Sequence, residues 1–90
     1  MNNCVYILQS LRTGSYYIGS TNDIKRRLLE HEKGKVTATK FLRPLELKLT
    51  VLCLTLTEAR KAEYKLKQYK SKKILVKFIE SGIFPWKYNK

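Results

Sequence analysis

CVYILQSLRTGSYYIGSTNDIKRRLLEH, residues 4–31, decides how this chain folds. The segment 3–9 (NCVYILQ) is rich in branched and aromatic side chains and reads as a β-strand. Arg12-Thr13-Gly14-Ser15 reads as a turn, with Gly14 able to take a positive φ, and 16–19 (YYIG) returns as a second strand. Residues 3–19 are therefore expected to form a β-hairpin that runs straight into a short helix. Thr21 or Asn22 can cap that helix and Asp23 suits the positive end of its dipole. Ile24, Leu28 and Leu29 supply its apolar side, and Gly34 ends it. Arg27 and His31 are four apart and share one helix face. Two phenols from neighbouring strands, Tyr6 and Tyr17, can thus meet a guanidinium and an imidazole. Phosphodiester chemistry needs polar groups that converge in this way from rigid elements, and charge-driven binding alone does not.

Downstream, Lys33 to Arg43 reads as a basic loop without a period. Pro44 then leads into Leu45, Leu47, Leu49, Val51 and Cys53, an alternation that predicts a third strand. Thr57 is expected to cap a long helix whose apolar stripe is Ala59, Ala62, Leu66 and Tyr69. Ser71 caps a further helix with Ile74, Leu75, Phe78 and Ile79 inward, and Gly82 ends it. The tail Ile83-Phe84-Pro85-Trp86 folds back to bury aromatics. The expected fold is α+β in the order β-β-α-β-α-α: a small three-stranded, mostly antiparallel sheet flanked by helices.

Ninety residues suit one domain, bounded here as 1–90. Nineteen Lys and Arg against seven Asp and Glu give a net charge of +12. The excess is spread along the chain, nine basic against four acidic groups in 1–50 and ten against three in 51–90. A small, well-patterned domain this basic usually meets nucleic acid. An anionic membrane surface is the weaker alternative, because the basic segments do not form a lipid-facing amphipathic helix. No apolar run approaches the ~18 residues of a membrane span, and no leader pattern opens the chain. Cys4 and Cys53 lack metal-ligand spacing and read as reduced, buried thiols. A cytoplasmic monomer is the expectation.

Glu63 lies four after Ala59 and three before Leu66, along the inward edge of its helix, among Lys61, Lys65, Lys67 and Lys70. A carboxylate there needs a partner, which a divalent cation or Arg27 would supply. Taken together, the chain resembles the GIY-YIG nucleases. Cys4-Val5-Tyr6 and Tyr17-Ile18-Gly19 match the two triplets of that family at the expected separation. STNDIKRRLLEHEKGK (20–35) resembles the stretch after the second triplet in small free-standing bacterial members, and TEARKAEYKLKQYKSKK (57–73) resembles their metal-ligand helix. The resemblance covers about the first 80 residues. The glycine and isoleucine of the first triplet are Cys4 and Val5 here. A late Asn found in many members has no counterpart, and a Lys of excision-repair relatives is Ser20.

The resemblance implies a DNA endonuclease that hydrolyses phosphodiester bonds. Glu63 would bind one divalent ion, Mg²⁺ or Mn²⁺, and Arg27 would neutralise charge growing on the scissile phosphate. Tyr6 or Tyr17 would help activate the attacking water, with His31 relaying the proton or orienting the phenol. A phenol with a pKa near 10 is a poor base at neutral pH, so this role requires its pKa to fall beside the metal and Arg27. The other acids leave no second metal site, since Asp23 reads as a helix-start residue and Glu30, Glu32, Glu46 and Glu58 as exposed.

Each feature has a plainer reading. Tyr6 and Tyr17 can be half-buried strand residues, His31 a helix C-terminal residue, and Glu63 a salt-bridge partner of Lys67. Tyr16 is expected on the opposite sheet face from Tyr17. Lys35, Lys40, Arg43, Lys61, Lys65 and Lys70 form a candidate DNA-facing skirt whose binding would weaken steeply with salt. No base-reading helix or zinc finger is appended, so little sequence preference is expected. The alternatives are a catalytically idle nucleic-acid-binding module of the same fold and a small basic RNA-binding protein.

Overall fold

The computed structural model describes residues 2–87. The sequence-bounded domain therefore reaches past the described residues at position 1 and at 88–90. β1 (Cys4–Ser10) pairs antiparallel with β2 (Tyr16–Thr21) on one side and with β3 (Leu45–Leu52) on the other, in the order β2-β1-β3. The sheet is antiparallel throughout. With α1 (Ile24–Glu32), α2 (Leu56–Tyr69) and α3 (Lys72–Ser81) the order is β-β-α-β-α-α, the expected α+β fold. The segment read as a plain basic loop contains a single 3-10 turn, Lys40–Leu42.

β1 is central and buried on both faces, and its alternation splits the molecule into two layers. Val5 and Ile7 join Ala59, Ala62, Leu66 and Phe78 in the apolar core beneath α2 and α3. The two alanines let α2 lie close on the sheet. Tyr6, one residue out of phase, faces the opposite way and meets His31 of α1. Helices thus cover both faces of the sheet, and β2 is an edge strand between them.

Caps explain where the helices start. Asp23, not Thr21 or Asn22, caps α1, its carboxylate accepting from Arg26 N at 3.2 Å. Thr21 Oγ1 instead accepts from Asp23 N at 3.1 Å. For α2 the cap is Thr55 rather than Thr57, with Oγ1 accepting from Glu58 N at 3.1 Å. The two threonines carry the same oxygen, but Thr55 has the extended backbone a cap requires (φ −134°, ψ 160°). Ser71 caps α3 as expected and Gly82 ends it at φ 71°. The tail folds back: Phe84 stacks between Phe78 and Trp86, with centroids 5.2 and 4.6 Å away. Cys4, standing where the first triplet usually has glycine, is 1% exposed, and both thiols are free. Among the described residues no helix is long and apolar enough to cross a membrane.

Candidate active site

β1 and β2 deliver the two phenols. Tyr6 sits opposite Gly19 in the antiparallel register and Tyr17 opposite Leu8, so the rings are diagonal neighbours with centroids 6.3 Å apart. The fit depends on Gly19. A Cβ there would lie 2.5 Å from both Cζ and the hydroxyl of Tyr6, a ring that is 1% exposed and has nowhere to retreat. Gly19→Ala is therefore expected to displace the Tyr6 hydroxyl. It should cost about 1–3 kcal/mol of stability, as overpacking does, and about a hundredfold in any reaction that uses that hydroxyl. Urea unfolding and an activity assay on the same preparation check both.

α1 presents Arg27 and His31 to the phenols. Tyr6 Oη and His31 Nε2 are 2.8 Å apart, and His31 also meets Tyr17 edge-on at a centroid distance of 5.3 Å. On its far side His31 Nδ1 lies 2.7 Å from Thr39 Oγ1, a fully buried hydroxyl whose own proton points to Val36 O at 3.5 Å. This network assigns the tautomer: Nδ1–H donates to Thr39, and Nε2 accepts from the Tyr6 hydroxyl. Thr39 lies in the unperiodic 33–43 segment, where no spacing pattern marks it.

Burial dominates the electrostatics. It pushes the Tyr6 phenol up to about 12, against the opposing pull of a hydrogen bond from Arg27. The expected fall below the usual phenol value is therefore not found in the chain's own charges, because Tyr6 is too deeply buried. Burial, aided by the charge of Arg27, lowers His31 to about 4, so the imidazole is neutral at physiological pH. Arg27 is held firmly charged by Tyr6 and by Glu30, whose carboxylate accepts from Nη1 at 2.9 Å. Glu30 was expected to stand exposed, but one helical turn from Arg27 it serves as that residue's partner, and Arg27 holds its carboxyl below the usual range.

The neutral His31 has a consequence for folding. Its folded-state pKa lies below the unfolded value, so the unfolded chain takes up the proton first. The stabilisation is complete above pH 6.5 and is lost as pH falls toward 4. From pH 7.5 to 5.0 the loss is expected to be about 2 kcal/mol by urea denaturation, and His31→Gln should remove most of that dependence.

Glu63 approaches from the other layer. Its Oε1 accepts from Ser20 Oγ at 2.5 Å and its Oε2 from Lys67 Nζ at 2.6 Å. Of its expected partners Arg27 does not reach it here; the plainer reading, a pair with Lys67, forms. Ser20 shares the β2 face of Tyr16 and Ile18, whereas Tyr17 points to the other face. Lys67 bridges the two faces around the β2 edge, its Nζ lying 5.9 Å from the Tyr17 ring centroid as well as on Glu63. Glu63 is also close enough for its charge to raise the Tyr6 phenol. The arrangement thus wraps an edge strand, with Tyr6, Tyr17 and His31 in contact, Arg27 near enough to act on Tyr6 and His31, and Glu63 joined through Ser20 and Lys67. Ser20, which departs from the Lys of excision-repair relatives, is a site residue the sequence reading missed.

The basic candidates scatter. Helical spacing places Lys61 and Lys65 on the side of α2 opposite Glu63, where Lys65 covers the Trp86 ring at 4.9 Å. Lys70 follows α2 on the Glu63 side. Lys35 is exposed and near enough to Glu30 to act on its charge, and Lys40 lies over Phe41. Arg43 donates to the carbonyls of Lys40 and Glu32 at 2.9 and 3.0 Å, pinning the loop over Gly34.

Comparison with known proteins identifies the fold's relatives. The family model of the GIY-YIG catalytic domain matches residues 2–75, which contain all five site residues. The chain is 38% identical over 73 residues to a UPF0213 protein of Bacillus pumilus, covering 80% of this chain and 74% of that one. It is also 38% identical over 79 residues to UPF0213 protein SERP0126 of Staphylococcus epidermidis, covering 87% and 94%. The solution NMR structure of UPF0213 protein BH0048 from Bacillus halodurans superposes with a TM-score of 0.57 at 32% identity, over 96% of this chain and 90% of that one. Paired phenols beside a helix-borne arginine and histidine, on a chain matched by that catalytic domain over most of its length, place the protein in the GIY-YIG family of nucleases.

Proposed function

We propose that the protein is a metal-dependent DNA endonuclease, acting as one domain, that nicks duplex or branched DNA with little sequence preference. The observation that carries this reading is the Tyr6–His31 hydrogen bond of 2.8 Å beside Arg27. A merely basic binding module has no use for a buried phenol–imidazole pair whose tautomer is fixed by Thr39.

GIY-YIG nucleases generally use divalent metal ions, and the donor set here suits a single hard cation. Glu63 is one carboxylate beside a serine hydroxyl, and Mg²⁺ commonly takes one or two protein carboxylates with waters and substrate phosphate completing its shell. Once bound, such an ion would offset charge on the scissile phosphate and acidify the attacking water. Ser20 and Lys67 hold the Glu63 carboxylate in place until then.

Arg27, charged and half-exposed, contacts the scissile phosphate and stabilises its developing charge. Tyr6 takes a proton from the attacking water while passing its own to His31 Nε2. A neutral phenol and a neutral imidazole can make this exchange without either carrying a buried charge beforehand. Thr39 keeps Nε2 unprotonated and turned toward Tyr6.

The test is incubation of purified protein with supercoiled plasmid and with branched DNA in Mg²⁺, Mn²⁺ or EDTA. Open circles with either metal and none in EDTA are expected. Binding without cutting under every metal would favour the idle module, and preference for structured RNA would favour an RNA-binding role.

A further inference from the structure

Beside the phenol cluster, the hairpin and the junction of α2 with α3 enclose an open groove of about 610 Å³, large enough for a nucleotide. Three tyrosines and three lysines line it: Tyr16 and Tyr17 from β2, Tyr69 from the last turn of α2, and Lys67, Lys70 and Lys72 around them. No acidic residue is among its walls. Lys67 and Lys72 lie 5.9 Å from the Tyr17 and Tyr16 ring centroids, so ammonium groups and aromatic faces alternate along the groove. One end opens at Tyr17 and Lys67, where the candidate active site begins.

A second observation concerns the lip. Lys70 closes α2 in the left-handed region at φ 51°, where glycine is the usual choice, and the only non-glycine residue with positive φ among those described. α3 ends in the same region with Gly82. A lysine at such a position carries a conformational cost that its side chain must offset.

We propose that this groove binds an unpaired stretch of the DNA substrate, with bases stacked on Tyr16 and Tyr69 and phosphates on Lys70 and Lys72, while Lys67 stays paired with Glu63 at the groove's end. Alternating aromatic platforms and cations suit single strands, whose bases have free faces. A duplex keeps its bases stacked on one another and offers such a groove only phosphates. The groove therefore narrows the substrate class to DNA with a single-stranded arm leading to the cut. This rests on the endonuclease reading only for the position of the cut, not for the binding.

Binding is measured in EDTA by fluorescence anisotropy, using a short labelled oligothymidylate and a blunt duplex of equal length. The wild-type protein is expected to prefer the oligothymidylate. Tyr69→Ala should weaken that binding about tenfold, the ~1.4 kcal/mol expected for a lost stacked base, and lower the single-strand to duplex ratio. Lys70→Gly should weaken it too, make the salt slope shallower by about 0.7, and raise the melting temperature. Tyr16 packs against the core, so Tyr69, 39% exposed, and Lys70 carry the test if Tyr16→Ala fails to fold. Wild-type affinity for oligothymidylate in a folded Tyr69→Ala protein, or equal loss for both probes, overturns the proposal. A protein that passes in EDTA yet never cuts would keep the groove and lose the nuclease reading. One that nicks while failing here would keep the nuclease reading and lose the groove.

Discussion

Arg27→Ala is expected to reduce metal-dependent nicking of supercoiled plasmid about a thousandfold, the scale of losing a preorganised charge at a developing oxyanion. The effect should fall on the reaction and not on the fold. Arg27 and Glu30 form an i,i+3 pair with side chains 33% and 31% exposed, and such pairs contribute little to stability. Its loss also removes the hydrogen bond that partly opposes the rise of the Tyr6 phenol, so proton transfer is hindered in the same stroke. DNA binding should weaken modestly, with the salt slope shallower by about one counterion. Arg27→Lys should recover little, because an ammonium cannot face Tyr6, Glu30 and a phosphate with a planar fork. Nicking time courses beside binding isotherms at two salt concentrations check this. A variant that cuts like the wild type would remove Arg27 from the site.

Glu63→Gln is expected to abolish cutting in Mg²⁺ and Mn²⁺ alike, to below about a thousandth of the wild-type rate if the carboxylate is the metal's protein ligand. The amide keeps the shape and can still accept from Ser20. The Lys67 pair it gives up is half-exposed at the lysine and should cost under about 1 kcal/mol. The sharper readout is thermal: added Mg²⁺ should raise the melting temperature of the wild type and leave that of the variant unmoved. Lys67, released from its carboxylate, becomes available to phosphates, so duplex affinity should hold or rise. Loss of binding together with loss of cutting would instead assign Glu63 a structural role.

How much of this was readable from the chain depends on the range of each interaction. Tyr6, Tyr17, Arg27 and His31 were legible because strand alternation and helical spacing are local rules, and the hairpin brings them together at short separation. Glu63 was legible from its place between Ala59 and Leu66. Thr39 was not: its segment has no period, and only the turn after α1 and the 3-10 turn at Lys40–Leu42 bring its hydroxyl under His31. Ser20 looked like a lost lysine until the β2 edge placed it on Glu63 across 43 residues of sequence. The rise of the phenol's pKa in the chain's own field was not legible, because spacing reveals neighbours and not depth. Tyr6 is 1% exposed, and burial outweighs Arg27. The cap of α2 slipped by two residues because two threonines offered the same oxygen and backbone angles chose between them.

The division of the site between two layers has a consequence for how the protein is made. Tyr6 and His31 are 25 residues apart and meet on one side of the sheet; Ser20 and Glu63 are 43 apart and meet on the other. A ribosome-bound chain still lacking α2 already carries Tyr6, His31 and Ser20 but not Glu63, so the two-layered arrangement is completed only when that helix docks.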